Sequence, residues 1–316
     1  MLSILAITGP IYIVMAIGFV AGRSGLFSGP DMRVLGRFVV NFALPALLFT
    51  ALSQRPIADI LNFRYLSAYA IGSLCMLLGG TALARFAQRR DMALSALIGM
   101  GMAFSNSGFV GYPIALQILG PPAAVALAMC MIVENVLLLP IGLVMAEMGG
   151  NRGHGWQRVL LQSLAALARN PIILAIFAGF LVSLLGIPLS EPLVRTINML
   201  SMASTALALF VIGGSLVGLE VKSVFSDTIT VALGKLVLHP LAVFAMLWLF
   251  APVEPHLRTA AIIFAAMPMM SIYPILAQKY DQQSFCAAAL LVATLLSFLT
   301  VSGALWVMSS LLGWSV

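Results

Sequence analysis

The chain has 316 residues, of which 62% are hydrophobic and only 8% are charged, and its formal net charge is +6. A soluble domain carries roughly 25% charged residues. The mean hydropathy of +1.10 therefore excludes a sizeable soluble domain and indicates that lipid surrounds most of the surface. The positive charge does not indicate a nucleic-acid partner, because the basic residues lie in short links between apolar runs and form no stripe.

Ten apolar runs are each long enough to cross a membrane, which takes about 20 residues per helix. Their predicted limits are 4–22, 33–52, 65–86, 93–118, 123–146, 169–187, 193–217, 228–250, 258–279 and 285–308. No Lys or Arg precedes the first run, so we interpret it as a retained span and not as a cleaved signal peptide. The longest polar link, from Gly149 to Arg158, divides the chain near its middle.

The basic residues are distributed unevenly between the two sides that ten spans define. Links 1, 3, 5, 7 and 9 hold 11 of them and the even-numbered links hold 4. The larger set is Arg23, Arg33, Arg37, Arg85, Arg89, Arg90, Arg152, Arg158, Arg169, Lys222 and Lys279, and the smaller set is Arg55, Arg64, Arg195 and Arg258. Because cytoplasmic loops carry the excess of Lys and Arg, we expect a multi-pass protein of the cell inner membrane with both termini on the outer face.

The chain matches itself at a constant shift of 161 residues. The shift places Pro10 on Pro171, Gly18 on Gly179, Leu48-Phe49 on Leu209-Phe210, and Tyr112-Pro113-Ile114 on Tyr273-Pro274-Ile275. We therefore predict two repeats, residues 1–148 and 169–316, joined by a short cytoplasmic link at 149–168. Each repeat has five spans, an odd number, so the second repeat crosses the membrane upside down, an arrangement typical of secondary transporters.

Span 4 is interrupted by residues that disfavour helix. Ser105, Asn106, Ser107, Gly108 and Gly111 are poor helix formers, and Pro113 removes a backbone donor. Backbone groups that are freed in this way must line protein or a polar cavity and cannot face lipid. Ordinary kinks are the alternative explanation for any single span of this kind.

Span 9 is interrupted at the matching place in the second repeat. Pro268 and Pro274 flank Ser271 there, with Tyr273 directly before the second proline. Paired interrupted spans are the best sequence indication of a transporter binding site. Pro113 and Pro274 each suit the first position of a new half-helix, and two half-helix N-termini that face one cavity favour an anion.

The residues predicted to bind substrate are Ser105, Asn106, Ser107, Gly108, Gly111, Pro113, Pro268, Ser271, Tyr273 and Pro274. In span 2, Asn41 and Pro45 predict a kinked helix in which the amide side chain satisfies freed backbone groups. We give this second pair a structural, supporting role at a helix break.

Four polar or ionisable residues lie deep in other spans. Glu134 and Asn135 are adjacent in span 5, and Lys235 and His239 are one turn apart in span 8. Such residues usually face a cavity, so a pathway or coupling role competes with a structural polar pair for Glu134 and Asn135. Lys235 either lines the cavity or snorkels to the interface, and His239, beside Pro240, fits a structural histidine better.

Several stretches together resemble the auxin efflux carrier family, which includes bacterial malonate-type carriers and the PIN-type auxin exporters of plants. The stretches are NFALPALLF at 41–49, SNSGFVGYPI at 105–114, ARNPIILAIFAGF at 168–180 and AAMPMMSIYPILAQKY at 265–280. The resemblance implies an all-α membrane protein of ten helices in two inverted repeats, with helices 4 and 9 broken and crossing. It also implies a carboxylate substrate, with Asn106 at the carboxylate site.

We therefore expect a secondary transporter that moves a small organic anion, such as malonate or an auxin-like acid, by alternating access. A sodium-coupled organic-anion carrier of the bile-acid type is the alternative, and a channel or sensor on the same fold is a further one. An enzyme is not expected, because the sequence has no HExxH, GxSxG or P-loop motif. We expect no cofactor and no metal; the expected partners are the lipid bilayer and the anion, with a homodimer as an open possibility.

Overall fold

The computed structural model describes residues 2–54, 61–149, 156–218, 225–250 and 252–310. These residues form helices and connecting segments, and no strand occurs among them. Seven of the helices are long and apolar enough to cross a membrane, or eight if one bent pair counts as a single span. The seven coincide with predicted spans 2, 3, 4, 5, 7, 8 and 10, and the bent pair includes span 6. The full count of ten spans stays a prediction.

The described residues of the first half form six helices. They are α1 (Leu2–Arg23), α2 (Gly29–Ser53), α3 (Phe63–Ala87), α4 (Met92–Ala103), α5 (Tyr112–Leu119) and α6 (Pro122–Met148). Side-chain caps begin three of them: Ser28 accepts from the Asp31 N–H, Asn62 from the Tyr65 N–H and Asp91 from the Leu94 N–H. The pair α4 and α5 corresponds to predicted span 4, which is interrupted as expected.

In the second half, seven helices occur within the part of the chain that the structure describes. They are α7 (Trp156–Leu167), α8 (Pro171–Leu185), α9 (Glu191–Ser215), α10 (Asp227–Leu249), α11 (Pro255–Ala265), α12 (Tyr273–Ala277) and α13 (Gln283–Ser310). Helix α7 was not predicted from the sequence. It lies inside the 149–168 link, packs on the end of α6 and bends 54° away from α8. Predicted span 9 corresponds to α11 and α12, separated by residues 266–272.

Close backbone contacts join α1 to α9 and α2 to α8. A Cβ atom on Gly18 would lie 2.1 Å from the Phe210 carbonyl oxygen, and one on Gly179 would lie 3.0 Å from the Phe49 carbonyl oxygen. Glycine is needed at both places because only its missing side chain lets the helix backbones approach so closely. The helices α2 and α9 also pack on each other, so these four helices form one group.

The segment from α4 to α5, Met92–Leu119, is the most enclosed of the seven candidate spans. Protein covers 89% of its apolar window, against 67% or less for the other six. Its interrupted backbone therefore lies away from lipid, as the physics of an apolar solvent requires.

Contacts between links show which helix ends share a face of the molecule. Arg90 in link 3 pairs with Asp227 at the start of α10 at 2.6 Å, and Lys279 in link 9 pairs with Glu147 at the end of α6. On the opposite face, Arg64 of link 2 donates to the Pro252 carbonyl of link 8 at 3.0 Å. Odd-numbered links thus meet odd-numbered links, and even-numbered links meet even-numbered ones.

Candidate functional site

The breaks in the two interrupted spans contact each other. Residues 104–106 between α4 and the following turn are not helical, and neither are most of residues 266–272. The Asn106 backbone N–H donates to the Pro268 carbonyl oxygen at 2.8 Å, and its side-chain amide donates to the Ser271 hydroxyl oxygen at 3.0 Å. We refer to residues 104–106 and 266–272 as the crossing. Each break therefore satisfies polar groups that the other leaves free.

Small residues make this close approach possible. A Cβ atom on Gly111 would lie 2.8 Å from the Phe264 ring of α11, and one on Gly108 would lie 2.9 Å from the Met131 methyl group of α6. The predicted glycines thus serve packing around the crossing. Tyr273 adds a hydrogen bond across it, because its hydroxyl donates to the Leu97 carbonyl oxygen of α4 at 2.8 Å.

The two prolines that follow the breaks lie where half-helices begin. Pro113 is in the first turn of α5, but a π turn, Ser107–Gly111, precedes it, so helical backbone resumes at Ser107. In that wide turn the Gly111 N–H bonds to the Asn106 carbonyl oxygen at 3.1 Å. Pro274 is in the first turn of α12, which has only 5 residues before a short 3₁₀ turn. The second half-helix is thus shorter than the first, in which helical backbone continues from Ser107 to Leu119.

Glu134 is buried beside the first break. One of its carboxylate oxygens accepts hydrogen bonds from the Ser107 hydroxyl at 2.7 Å, the Tyr69 hydroxyl at 3.1 Å and the Cys130 thiol at 3.4 Å. Only 1% of Glu134 is exposed. A carboxyl group at this depth needs such donors, because burying it without partners costs several kcal/mol or more.

Lys235 is also fully buried and does not snorkel to the interface. Its ammonium group lies 2.7 Å from each of three atoms: the Ser105 hydroxyl oxygen, the Ala265 carbonyl oxygen and His239 Nδ1. His239 Nε2 in turn contacts the Ser73 hydroxyl at 2.8 Å. Both ring nitrogens of His239 therefore have a polar partner, and its structural role stays a prediction.

A chain of polar side chains connects these two buried ionisable groups. The Tyr69 hydroxyl, which donates to Glu134, lies 3.5 Å from the Ser105 oxygen that accepts from Lys235. Tyr69, Ser73 and Cys130 were not among the predicted site residues. A signal was available, because Tyr69 and Ser73 are one turn apart in α3, as Cys130 and Glu134 are in α6.

Three predicted residues lie apart from this cluster. The Asn135 amide donates to the Met131 carbonyl oxygen of its own helix at 2.9 Å, and Asn170 contacts it from the start of α8. Asn41 is exposed and donates to the Arg37 carbonyl oxygen at 2.7 Å, one turn back in α2. Asn41 thus satisfies a backbone group just ahead of the π turn Val39–Ala43, which leads to Pro45. Asn135, Asn41 and Pro45 thus all lie outside the crossing.

A cavity of about 660 Å³ lies between α1, α13 and the residues after α9. It is mostly apolar, and Arg23 is the charged residue in its wall. Further along the same pair of helices the gap is closed: Tyr12 contacts Ser297 at 3.1 Å, and Thr8 contacts Ser302 at 3.4 Å. The α1–α13 interface is therefore open at one end and closed at the other. Its lining, Tyr12, Met15, Ala16, Phe19, Arg23, Leu216, Val217, Gly218, Leu291, Thr294, Leu295 and Phe298, includes no residue of the crossing.

Among the described residues, no three His, Cys, Asp or Glu side chains lie together as a metal site would require. The three cysteines are free, with Cys130 and Cys286 buried and Cys75 exposed.

Comparison with known proteins places the chain among transporters. The family described as "Membrane transport protein" matches residues 5–306. A Rhizobium meliloti (strain 1021) protein named "Putative malonate transporter" is 28% identical over 316 residues, covering 98% of this chain and 97% of that protein. "Uncharacterized transporter YfdV" of Escherichia coli (strain K12) is 26% identical, covering 94% of this chain and 95% of that protein. An "Uncharacterized transporter" of Methanothermobacter thermautotrophicus is 24% identical with the same coverage.

Proposed function

Since the chain belongs to the Membrane transport protein family, we propose that it carries a small organic anion across the membrane by alternating access. The proposed substrate is a small carboxylate such as malonate. The relative named as a malonate transporter supports this class, as does the resemblance of the crossing residues to carriers of carboxylates.

The observation that carries the proposal is the contact between the two breaks at Asn106. Its amide bonds to Ser271, and a buried ammonium group, that of Lys235, lies 2.7 Å from the neighbouring Ser105. The helical turn that starts at Ser107 has its N-terminal end directly beside Asn106, and helix N-termini favour negative charge. A positive group and a helix N-terminus beside one polar break suit an anion better than a cation.

We also propose that the chain has ten spans in two inverted repeats. A pair of contacts supports this arrangement. The shift of 161 residues aligns Gly18 with Gly179 and Phe49 with Phe210. Gly18 packs on the Phe210 carbonyl, and Gly179 packs on the Phe49 carbonyl. A contact and its exchanged counterpart are expected where two repeats are related by a two-fold axis.

The proposed orientation puts both termini on the outer side of the cell inner membrane. The contacts between links are compatible with ten crossings, because odd links share one face and even links the other. The excess of basic residues then assigns the odd face to the cytoplasm. In this orientation the cavity between α1 and α13 opens towards the cytoplasm, since Arg23 lies at that end of α1.

Competition between matched acids and amides tests the anion site. Purified protein in proteoliposomes would take up labelled malonate while unlabelled malonate or malonamide competes. We expect the amide to compete at least about 10-fold more weakly, since the loss of one charge-assisted hydrogen bond is worth about 1.4 kcal/mol or more. Equal competition by malonamide would refute the anion site, and no uptake of any mono- or dicarboxylate would refute the substrate class.

A further inference from the structure

The ammonium group of Lys235 is held as a bound cation would be. The Ser105 hydroxyl oxygen, the Ala265 carbonyl oxygen and His239 Nδ1 all lie 2.7 Å away, and Nδ1 is an acceptor when the neutral imidazole carries its proton on Nε2. A charged lysine has three N–H donors, so the three acceptors match its donors in number. Nothing of the side chain is exposed to solvent.

One of these acceptors is the end of a half-helix. Ala265 is the last residue of α11, and the last carbonyl groups of a helix have no partner within it. They carry the negative end of the helix dipole, which favours a cation. Lys235 therefore satisfies an acceptor that the break between α11 and α12 leaves free, and it does so next to the crossing.

The same arrangement of ligands would suit a mobile cation. In carriers with broken helices, carbonyl groups at half-helix C-termini coordinate the coupling cation near the membrane midplane. Here the Ser105 hydroxyl of the first break, the Ala265 carbonyl at the end of α11 and the His239 imidazole surround one position. The Lys235 side chain, which starts on α10, already places its positive charge there.

We propose that Lys235 is a built-in cation that occupies a cation site at the crossing, so that the wild-type protein needs no bound sodium ion there. The residue acts by positioning the two breaks and by supplying positive charge beside Asn106. This inference rests on the proposed function, because it deepens the description of the same site. It separates this chain from a sodium-coupled carrier, in which that charge would have to arrive from solution.

Removal of the lysine side chain should open the site to a small cation from solution. We expect Lys235→Ala to lower the melting temperature Tm of the full-length protein in detergent. Sodium chloride or methylammonium chloride should then raise the Tm of the variant by about 5 °C in a saturable way, compared with choline chloride at equal ionic strength. Methylammonium replaces the missing terminal group, whereas choline is too large for the space that the lysine leaves.

The matched control is Lys235→Met, which fills the same space with an unbranched apolar side chain and should respond to none of these salts. The wild type should also respond to none. A sodium-specific rise in the wild-type Tm overturns the proposal, and this measurement decides it even where Lys235→Ala cannot be purified. A purified Lys235→Ala protein that ignores both sodium and methylammonium overturns it too. Because no substrate is present, these outcomes are independent of whether the chain transports an anion.

Discussion

Four polar or ionisable residues of the membrane spans lie in helical turns of the same kind. Asn41, Ser107, Glu134 and Lys235 each belong to a π turn that ends two residues before a proline: Pro45, Pro113, Pro140 and Pro240. Proline lacks the N–H of a normal helical hydrogen bond and its ring clashes with the preceding turn, so the turn before it widens. At three of the four turns, the polar side chain belongs to the buried polar cluster beside the crossing. These side chains are Ser107, Glu134 and Lys235.

Asn106 is the residue whose loss should affect substrate binding most. We expect Asn106→Ala to weaken the affinity for malonate about 10-fold or more, since a hydrogen bond to a charged group contributes roughly 1.5–3 kcal/mol. Concentration-dependent uptake into proteoliposomes, normalised to protein content, measures this. In the present conformation the Asn106 amide is bonded to Ser271, so an anion would have to replace that contact.

Asn41→Ala is the matched control for this substitution. The Asn41 side chain is exposed and bonds only within its own helix, so its removal should leave the apparent affinity unchanged. An unaltered affinity in Asn106→Ala would remove Asn106 from the binding site.

Glu134 is better suited to coupling or to cavity polarity than to direct contact with a carboxylate, because an ionised Glu134 would repel the substrate. If it carries the coupling proton, Glu134→Gln should abolish the pH dependence of net uptake and leave exchange of internal for external substrate partly intact. The glutamine oxygen can still accept from Ser107 and Tyr69, so the fold should survive. A variant with the wild-type pH profile would show that Glu134 is structural.

At the scale of helices, the contact between α1 and α9 depends on Gly18. An alanine there would place its Cβ 2.1 Å from the Phe210 carbonyl oxygen, so the two backbones must move apart. We expect Gly18→Ala to destabilise the protein by about 1–3 kcal/mol, the usual cost of overpacking, measured as a lower Tm in detergent.

Substitutions at two other glycines serve as comparisons for the Tm of Gly18→Ala. In Gly179→Ala, at the repeat-related contact, the nearest atom is 3.0 Å away, so the loss should be smaller. At Gly9, in the same helix as Gly18, an added Cβ atom would meet no neighbouring atom within 4 Å, and Gly9→Ala should not lower the Tm. Equal effects at positions 9 and 18 would contradict the close packing of α1 on α9.

At the scale of the whole molecule, the proposed alternating access predicts that α1 and α13 separate at the end where they now touch. The Thr8 and Ser302 hydroxyl oxygens are 3.4 Å apart, so thiols substituted at these two positions would lie close to each other. We expect oxidised Thr8→Cys/Ser302→Cys protein to lose uptake and to regain it on reduction. The variants that carry only one of the two substitutions serve as controls, and full activity in the cross-linked protein would show that this contact does not open during transport.

The orientation in the membrane is a separate prediction about the whole molecule. Residue 153 lies in the link that we predict to be cytoplasmic, outside the residues that the structure describes. We expect an impermeant thiol reagent to label Gly153→Cys in inside-out vesicles and not in intact spheroplasts, because the 11-to-4 bias of basic residues favours a cytoplasmic link. Labelling in intact spheroplasts would show that the link lies on the outer face and that the orientation is the opposite of the proposed one.

Much of the architecture could be read from the sequence because its physical causes are local. Apolar runs of sufficient length predict helices wherever they occur, so the seven candidate spans lie within a few residues of their predicted limits. The weak helix formers at 105–111 and the prolines at 268 and 274 likewise predicted both breaks. The helix α7 was missed because its 12 residues are too polar and too short for that signal.

What only the tertiary structure decided is which polar side chains meet. Residue spacing shows that Lys235 and His239 share a helix face, but not that Ser105 and the end of α11 lie against that face, because packing brings these partners together from separate helices. The same holds for Tyr69, which meets Glu134 across 65 residues of chain. The sequence by itself determined where the helices form and break, since these depend on neighbouring residues; the packing of distant helices alone decided which broken ends and buried charges satisfy one another.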